Sequence, residues 1–285
     1  MEIIDSHMHY SNIHLFKNCA QNKSKVLYNY EGLISEFVEN NIVGCVAMGV
    51  SETSIGSFPD TLAPNPMIAD LANRPDFLYT CLGINPFGLR NNPDAIMKIE
   101  EKILDNKVVG FKLYPGYYPV TVDDDVYQPV YDLAEKYKMP IVIHMGDTFC
   151  PYGHIKYSQP LTLSEVVLHR RNVNFIVAHF GNPWVLDTAM LVANNPNVYT
   201  DLSGIFIGDK EDVLEDKNKP VYNNIKTGIA YCENYEKLLF GSDWPLVKLK
   251  PYIDFVKKII PKENHQQVFH DNALKLFPAL KSKKS

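Results

Sequence analysis

Residues 140–144 are Pro-Ile-Val-Ile-His, a short apolar run that ends on a polar side chain. Its consecutive β-branched residues favour a strand, and the lack of alternating polar positions indicates that both faces of this strand are buried. The run Asn-Phe-Ile-Val-Ala-His at residues 174–179 has the same design. Such strands are typical of a parallel sheet that is covered on both sides.

Working outward from these two runs, we find eight strand patterns that alternate with helical ones. The expected strands are Glu2–Ile4, Val43–Met48, Phe77–Leu82, Val108–Leu113, Ile141–His144, Asn174–His179, Val198–Leu202 and Leu238–Phe240. Between them, apolar residues recur at helical spacing, at Leu33, Ile34, Phe37 and Val38, at Ile96, Ile99 and Ile103, at Val130, Leu133 and Tyr137, and at Leu186, Met190 and Leu191. This alternation predicts an α/β fold, a (β/α)8 TIM barrel, as a single domain over residues 1–285 with a flexible basic tail at Lys281, Lys283 and Lys284.

The composition excludes several classes of partner. The chain has 28 basic and 33 acidic residues and no basic stripe, which argues against binding to nucleic acid or to an anionic membrane. Five scattered cysteines without a Cys-x-x-Cys pair argue against a disulfide framework. The first residues lack a signal-peptide pattern, and no apolar run is long enough to cross a bilayer, so we expect a cytoplasmic protein. A small-molecule substrate is the expected partner, and a homodimer is left open.

Polar side chains stand where several of these strands end. His7 and His9 are two residues apart, so both imidazoles point to one side if the chain stays extended. A pair of surface histidines is the alternative explanation for this motif alone. Its place at the end of the first strand favours a pair of metal ligands.

The other polar residues follow at regular intervals. Lys112 and His144 are 32 residues apart, His144 and His179 are 35 apart, and His179 and Asp243 are 64 apart. Since one βα unit takes about thirty-odd residues, these side chains are expected at the ends of strands four, five, six and eight, converging on the barrel axis. Imidazoles with a carboxylate suit Zn²⁺ or another divalent first-row ion, and the absence of a thiolate argues against a closed structural zinc site.

Taken together, these motifs resemble the amidohydrolase superfamily, in particular the amidohydrolase-related branch that includes aminocarboxymuconate-semialdehyde decarboxylase. The resemblance covers nearly the whole chain. It rests on Ile4-Asp5-Ser6-His7-Met8-His9, Gly110-Phe111-Lys112-Leu113, Ile143-His144, Ala178-His179-Phe180-Gly181 and Phe240-Gly241-Ser242-Asp243-Trp244-Pro245.

The resemblance implies a metal site with His7, His9, His144 and Asp243 as ligands and His179 as a catalytic residue beside them. One ion is expected, with Zn²⁺ first and Mn²⁺ or Fe²⁺ as alternatives. In two-metal members a lysine on strand four is carboxylated and bridges both ions. Lys112 is therefore either such a bridge for a second metal or, as we expect, a cationic anchor for the substrate.

The expected reaction is hydrolysis of an amide, ester or lactone of a small, anionic substrate by metal-activated water, with Asp243 as the base and a protonated His179 as the acid. Decarboxylation of an aromatic or unsaturated acid is the alternative, and a metal-binding scaffold without turnover is a third. Candidate substrate-binding residues follow the strands; they are Asn85, Arg90, Tyr114, Tyr117, Tyr118, His154, Trp184 and Ser203.

Overall fold

A computed structural model describes residues 1–209 and 219–281 of the chain, so the end of the predicted basic tail lies outside the described residues. The eight predicted strands are all present. Their bounds are β1 (Ile3–Met8), β2 (Ile42–Met48), β3 (Leu78–Gly83), β4 (Val108–Leu113), β5 (Ile141–Ile143), β6 (Phe175–Val177), β7 (Val198–Asp201) and β8 (Leu238–Leu239). The expected ends agree within two residues except at β1, which continues to Met8 and therefore contains His7.

The strands form one parallel sheet in the order β1 to β8. Backbone bonds then join the two edges, because Ser6 N–H donates to the Phe240 carbonyl at 3.0 Å and Asp243 N–H donates to the His7 carbonyl at 2.8 Å. The sheet is thus a nearly closed barrel, and the (β/α)8 prediction is confirmed.

Helices lie between the strands, as the sequence predicts. Those of the described residues are α1 (His14–Cys19), α2 (Tyr30–Glu39), α3 (Pro86–Asn91), α4 (Ala95–Ile103), α5 (Gln128–Tyr137), α6 (Ser164–His169), α7 (Val185–Asn194), α8 (Lys219–Cys232), α9 (Leu249–Ile259) and α10 (Asn272–Leu276). Asn29 caps α2 by accepting from Gly32 N–H, and Pro129 stands in the first turn of α5. A proline is tolerated there because the first turn has unpaired amides.

The apolar face that we expect on α7 is partly wrong. Leu186 and Met190 are exposed, and the helix buries Val185, Ala189 and Val192 instead. Both sets have helical spacing, because α7 carries more apolar residues than one face needs, and packing against α8 selects the second set. Val38 at the end of α2 is exposed in the same way.

The interior of the barrel is filled by one apolar cluster. It consists of Ile4, Val46, Met48, Tyr79, Cys81, Val109, Val142, Ile176, Ala178, Tyr199 and Leu239, with Ala273, Leu276 and Phe277 from α10 and its end packed against them. The alternate strand residues pack outward against the helices. The barrel is therefore a solid support, as expected for this fold.

A bulge in β1 changes which side chains face the interior. Ile4 packs in the interior cluster, yet Met8, which shares its parity, packs in the outer layer. The register with β2 shifts between Asp5 and Met8, which accounts for the change. Bulges often re-aim side chains next to active sites. This one lets His7 join the other polar residues of the barrel end.

A second bulge has the same effect in β4. Thr80 pairs with Val108 whereas Cys81 pairs with Gly110, so one residue of β4 lies between these pairs without a partner. The shift precedes Lys112, which is buried close enough to His7 to influence its ionisation.

Two long loops follow β2 and β5, where the sequence places irregular segments. In the first loop, Asp60 accepts hydrogen bonds from Thr53 N–H at 2.5 Å and from the Ser57 hydroxyl at 3.0 Å. In the second, Phe149 N–H donates to the Tyr117 hydroxyl at 2.9 Å. The first two bonds fix the shape of the loop after β2, and the third ties the loop after β5 to the segment that follows β4.

Candidate metal centre and active site

Three of the expected ligands meet where β1 and β8 end. His7 lies in β1, His9 follows it by two residues, and Asp243 comes four residues after β8. Asp243 Oδ1 is 3.1 Å from His9 Nε2 and 3.7 Å from His7 Nε2. Their donor atoms lie within 4.8 Å of one another, a spacing that one ion with ligand bonds of about 2 Å can span.

The backbone is strained at two of the polar residues. Asp243 and His179 have φ angles of 68° and 60°, in the left-handed region that residues other than glycine rarely adopt. Such conformations cost on the order of 1–3 kcal/mol and cluster at functional sites. Here they turn the carboxylate and the imidazole toward the cavity that both residues line.

The ring of His7 is oriented by a carboxylate behind it. Its Nδ1 lies 2.8 Å from Asp201 Oδ2, and both side chains are buried. Histidines that bind metal usually donate their second ring N–H to such a group. Asp201 also completes a second group of donor atoms with His7 and His179, but its bond to His7 fits an orienting role better than that of a ligand.

Several buried polar atoms of the site have no hydrogen-bond partner within the described part of the chain; among them are His7 Nε2, His144 Nε2, Asp243 Oδ1 and Lys112 Nζ. An unsatisfied buried polar atom costs about 1–3 kcal/mol, so a cluster of them indicates atoms that serve a ligand. Imidazole nitrogens with a carboxylate oxygen are donors that zinc prefers. These residues fit a divalent cation.

His144, the fourth expected ligand, lies outside the group that the other three form. It follows β5, and its donor atoms are not within the 4.8 Å group of His7, His9 and Asp243. Its Nδ1 is 3.1 Å from His179 Nε2, and the two rings are 5.0 Å apart. The structure thus brings His144 to the site beside His179.

Burial determines the charges of these groups. Burial and the Lys112 ammonium lower the pKa of His7 to about 4, and burial lowers the pKa values of His144 and His179 as well. Burial alone would raise the pKa of Asp243, but the close contact with His9 and the nearby histidines hold it well below its usual range. The site therefore combines neutral imidazoles with an ionised carboxylate.

Lys112 is buried at the end of β4, with its Nζ 5.3 Å from the centre of the Tyr114 ring. Burial lowers the pKa of this amine to about 8, although Asp201 and Asp243 oppose the shift. A neutral amine fraction is required for carboxylation and a charged one for anion binding. Both roles expected for Lys112 therefore remain proposals.

A cavity of about 310 Å³ opens at this end of the barrel. Its described lining consists of Tyr117, His144, Asp147, Thr148, Phe149, His179, Asn182, Gly204, Ile205, Phe206, Ile207, Val221 and Asp243. His144, His179 and Asp243 form one polar side, and Asp147, Thr148 and Asn182 add polar groups elsewhere. Phe149, Ile205, Phe206, Ile207 and Val221 form an apolar wall. Gly204 leaves room here, because a Cβ atom would stand 2.5 Å from Asp243 Oδ2.

Of the residues expected to bind substrate, Tyr117 lines this cavity, with its ring edge-on to His144 at 4.6 Å. Ser203 lies behind the histidines rather than in the described lining. Tyr114 is buried beside Lys112, and its hydroxyl donates to the Gly49 carbonyl at 2.8 Å.

The remaining candidates stand away from the described lining. Arg90 pairs with Asp124 at 2.8 Å, His154 is exposed in the loop after β5, and Trp184 is half-buried before α7. The last two candidates form hydrogen bonds to the loop after β2. Asn85 donates to the Ala63 carbonyl, and the Tyr118 hydroxyl donates to the Asp60 carbonyl.

Two aspartates have roles that we did not expect from the sequence. Asp201 ends β7 and holds His7, and Asp5 in β1 accepts from the Ser242 hydroxyl at 2.5 Å beside Asp243. Burial raises the pKa of Asp5 to about 7. Asp201 ends a buried strand just as His144 and His179 follow theirs, so the same signal was present in the sequence.

The fold and the site together define a TIM-barrel protein with a candidate metal centre at the C-terminal end of its strands. The family model described as amidohydrolase matches residues 44–279. The chain belongs to the amidohydrolase family. A search of curated proteins finds no match.

Solved structures share this fold at low sequence identity. A 2,6-dihydroxybenzoate decarboxylase from Rhizobium is 13% identical with a TM-score of 0.68, covering 98% of this chain and 99% of its own. A probable 2-pyrone-4,6-dicarboxylic acid hydrolase from Acinetobacter baumannii is 16% identical with a TM-score of 0.63, covering 98% and 100%. An amidohydrolase from Burkholderia multivorans with bound zinc is 14% identical with a TM-score of 0.65, covering 98% and 99%.

None of the helices in residues 1–209 and 219–281 combines the length and the apolar character needed to cross a bilayer.

Proposed function

We propose that this protein is a metal-dependent hydrolase that cleaves an acyl C–N or C–O bond in a small amide, ester or lactone. The observation that carries the proposal is the Asp243 carboxylate. Its pKa is held low, its Oδ1 is buried without a hydrogen-bond partner, and this oxygen lies 3.1 Å from His9 Nε2 beside the cavity. The proposed ligands are His7, His9, His144 and Asp243, with Zn²⁺ as the expected ion.

A divalent ion held by these residues would polarise the acyl oxygen and lower the pKa of a water molecule from about 15.7 to about 7. Asp243 accepts a proton from this water as the new C–O bond forms at the acyl carbon. His179 relays the proton to the departing nitrogen or oxygen as the acyl bond breaks. Water is thereby divided between the two products, and both residues regain their starting state.

The proposed role of His179 differs from the protonated acid that the sequence led us to expect. Burial lowers the pKa of its ring, and its Nδ1 lies 3.0 Å from the Ser203 carbonyl. A neutral ring favours a proton relay that accepts before it donates.

The described cavity lining contains no lysine or arginine, and Asp147 lies at its exposed side. We therefore propose that the part of the substrate next to Asp147 is uncharged or cationic. An anionic group, which we expect from the sequence, would have to lie toward Lys112.

Decarboxylation is the second candidate, and the apolar wall of the cavity favours it. Phe149, Ile205, Phe206 and Ile207 offer a surface for an aromatic ring, and a carboxylate is poorly solvated there. The bond from the ring to the carboxylate would break, CO₂ would leave, and a proton relayed by His179 would take its place. The similar fold of a 2,6-dihydroxybenzoate decarboxylase agrees with this chemistry.

A substrate panel separates the two reactions. Lactones, aryl esters, amides and aromatic acids are offered to the chelator-treated and zinc-restored protein, with acid release and CO₂ measured in parallel. We expect zinc-dependent acid release from an acyl substrate. CO₂ from an aromatic acid without acyl cleavage would establish the second candidate, and a protein that binds no divalent metal would contradict both.

A further inference from the structure

We infer that a carboxylate and a hydroxyl at the end of β7, those of Asp201 and Ser203, are positioning residues for three histidines of the site. They hold each ring as the tautomer with the proton on Nδ1, which leaves Nε2 unprotonated. The three rings are His7, His179 and His144. This inference deepens the proposed function and rests on it for its metal, but not for its hydrogen bonds.

Asp201 is the fixed point of the network. It is buried, and three donor groups of the protein converge on its Oδ1. Its Oδ1 accepts from the backbone N–H groups of His179 at 2.9 Å and Ser203 at 3.0 Å. An ionised carboxylate accepts hydrogen bonds and donates none.

The tautomer of His7 follows from this contact. Its Nδ1 lies 2.8 Å from Asp201 Oδ2, so the proton of that bond belongs to the imidazole. The opposite nitrogen, Nε2, then has no proton. It is buried, has no hydrogen-bond partner and lies 3.7 Å from Asp243 Oδ1.

Ser203 transmits the same constraint to His179. Its hydroxyl has one hydrogen, which it donates to Asp201 Oδ1 at 2.5 Å. At 2.9 Å from His179 Nδ1 this hydroxyl can therefore only accept, and the Ser203 carbonyl at 3.0 Å also accepts. His179 Nδ1 must carry the proton.

His144 is the last ring in the chain of bonds. His179 Nε2 has no proton and lies 3.1 Å from His144 Nδ1, so His144 is the donor. Its own Nε2 is then free, and this atom is buried without a hydrogen-bond partner. One carboxylate thus leaves an unprotonated nitrogen on His7 in β1 and on His144 directly after β5.

The tautomers can be read in metal-free protein by long-range ¹H–¹⁵N spectra of the histidine rings, assigned with single histidine-to-glutamine variants. We expect the Nδ1–H pattern for all three rings. This measurement is independent of zinc, so it tests the network whether or not the proposed metal site binds an ion. An Nε2–H pattern for His7 or His144 in the native sequence would overturn the inference.

Two variants test the direction of control. In Asp201→Asn the amide keeps one acceptor oxygen but presents an N–H group to His7, which should move the His7 proton to Nε2 and weaken zinc binding by about 10–100-fold. Ser203→Ala keeps the acceptor carbonyl but should give a mixed tautomer signal for His179 and His144. Zinc affinity is measured by competition with a chromophoric chelator.

Thr200→Val is the matched control, because it removes a neighbouring buried hydroxyl that bonds to the Val177 carbonyl and touches none of the three rings. It should leave both the tautomers and the zinc affinity unchanged. An Asp201→Asn variant with native ring signals and native zinc affinity would contradict the role of Asp201. The Ser203→Ala spectra decide the second half of the network if the asparagine variant does not fold.

Discussion

The two ends of the barrel interior differ sharply in how well their buried atoms are satisfied. Toward α10, residues such as Val142, Ile176 and Leu239 pack into an apolar cluster that Phe277 closes from below. At the other end, His7, His9, His144 and Asp243 are also buried, yet several of their polar atoms have no partner within the described residues.

This difference separates stability from function within one barrel. Apolar packing at the end near α10 stabilises the fold, since a buried aliphatic side chain contributes about 1.5–3 kcal/mol. The unpaired polar atoms at the opposite end oppose folding and are retained for what they bind. The apolar end also fixes the strands that hold the polar end, so the ligands need little reorganisation to act.

The largest effect should come from the polar end. Asp243→Asn removes the proposed base and a proposed ligand, and we expect kcat to fall by about 10²–10⁴-fold. The thermal midpoint of the metal-free protein should change by only a few degrees. Asp254→Asn, on the exposed surface of α9, is the control. Native turnover in the Asp243 variant on a verified substrate would refute its role.

Stability should respond at the opposite end. Leu239→Ala leaves a cavity in the interior cluster and should lower the free energy of unfolding by about 2–5 kcal/mol. His144→Ala in metal-free protein should cost about 1 kcal/mol, because the lost packing is offset by removal of an unpaired buried nitrogen. Urea unfolding at constant m-value measures both. Equal losses would show that the two ends do not differ as we describe.

The barrel could be predicted from the sequence because its evidence is local and repeated. Runs such as Ile141–Ile143 and Phe175–Val177 are continuously apolar and too short for helices, and their spacing leaves room for one helix each. The strand-end position of His144, His179 and Asp243 follows from the same spacing. Proximity in space could thus be inferred from periodicity alone.

What the sequence did not reveal depends on local departures from that periodicity. The bulge in β1 re-aims His7, and no residue between Asp5 and Met8 is a glycine or proline that would mark it. The face of α7 was ambiguous because two apolar stripes compete. The orienting role of Asp201 depends on a hydrogen bond between β7 and β1, which are 194 residues apart at the bonded pair. Such contacts are decided by tertiary packing.

Zinc should reduce the contrast between the two ends by satisfying the unpaired atoms. At a free zinc concentration of about 100 times the dissociation constant, binding to the folded state alone should stabilise it by about 2.7 kcal/mol, seen as a higher thermal midpoint. The shift should be much smaller in His7→Gln. His169→Gln, an exposed histidine at the end of α6, should keep the full shift. A native shift in His7→Gln would exclude His7 as a ligand.

The smallest effect concerns the charge of the substrate. Asp147→Lys reverses a charge at the exposed side of the cavity, so the kcat/KM ratio of an anionic to a neutral ester of the same acyl group should rise by up to about tenfold at low salt. Added salt should reduce the gain, because the side chain is exposed. Glu101→Lys on the outer helix α4 makes the same change in net charge and should leave the ratio unaltered. If Asp147→Lys and Glu101→Lys change the ratio equally, the ratio reports only the net charge of the protein. The charged group of the ester would then bind away from Asp147.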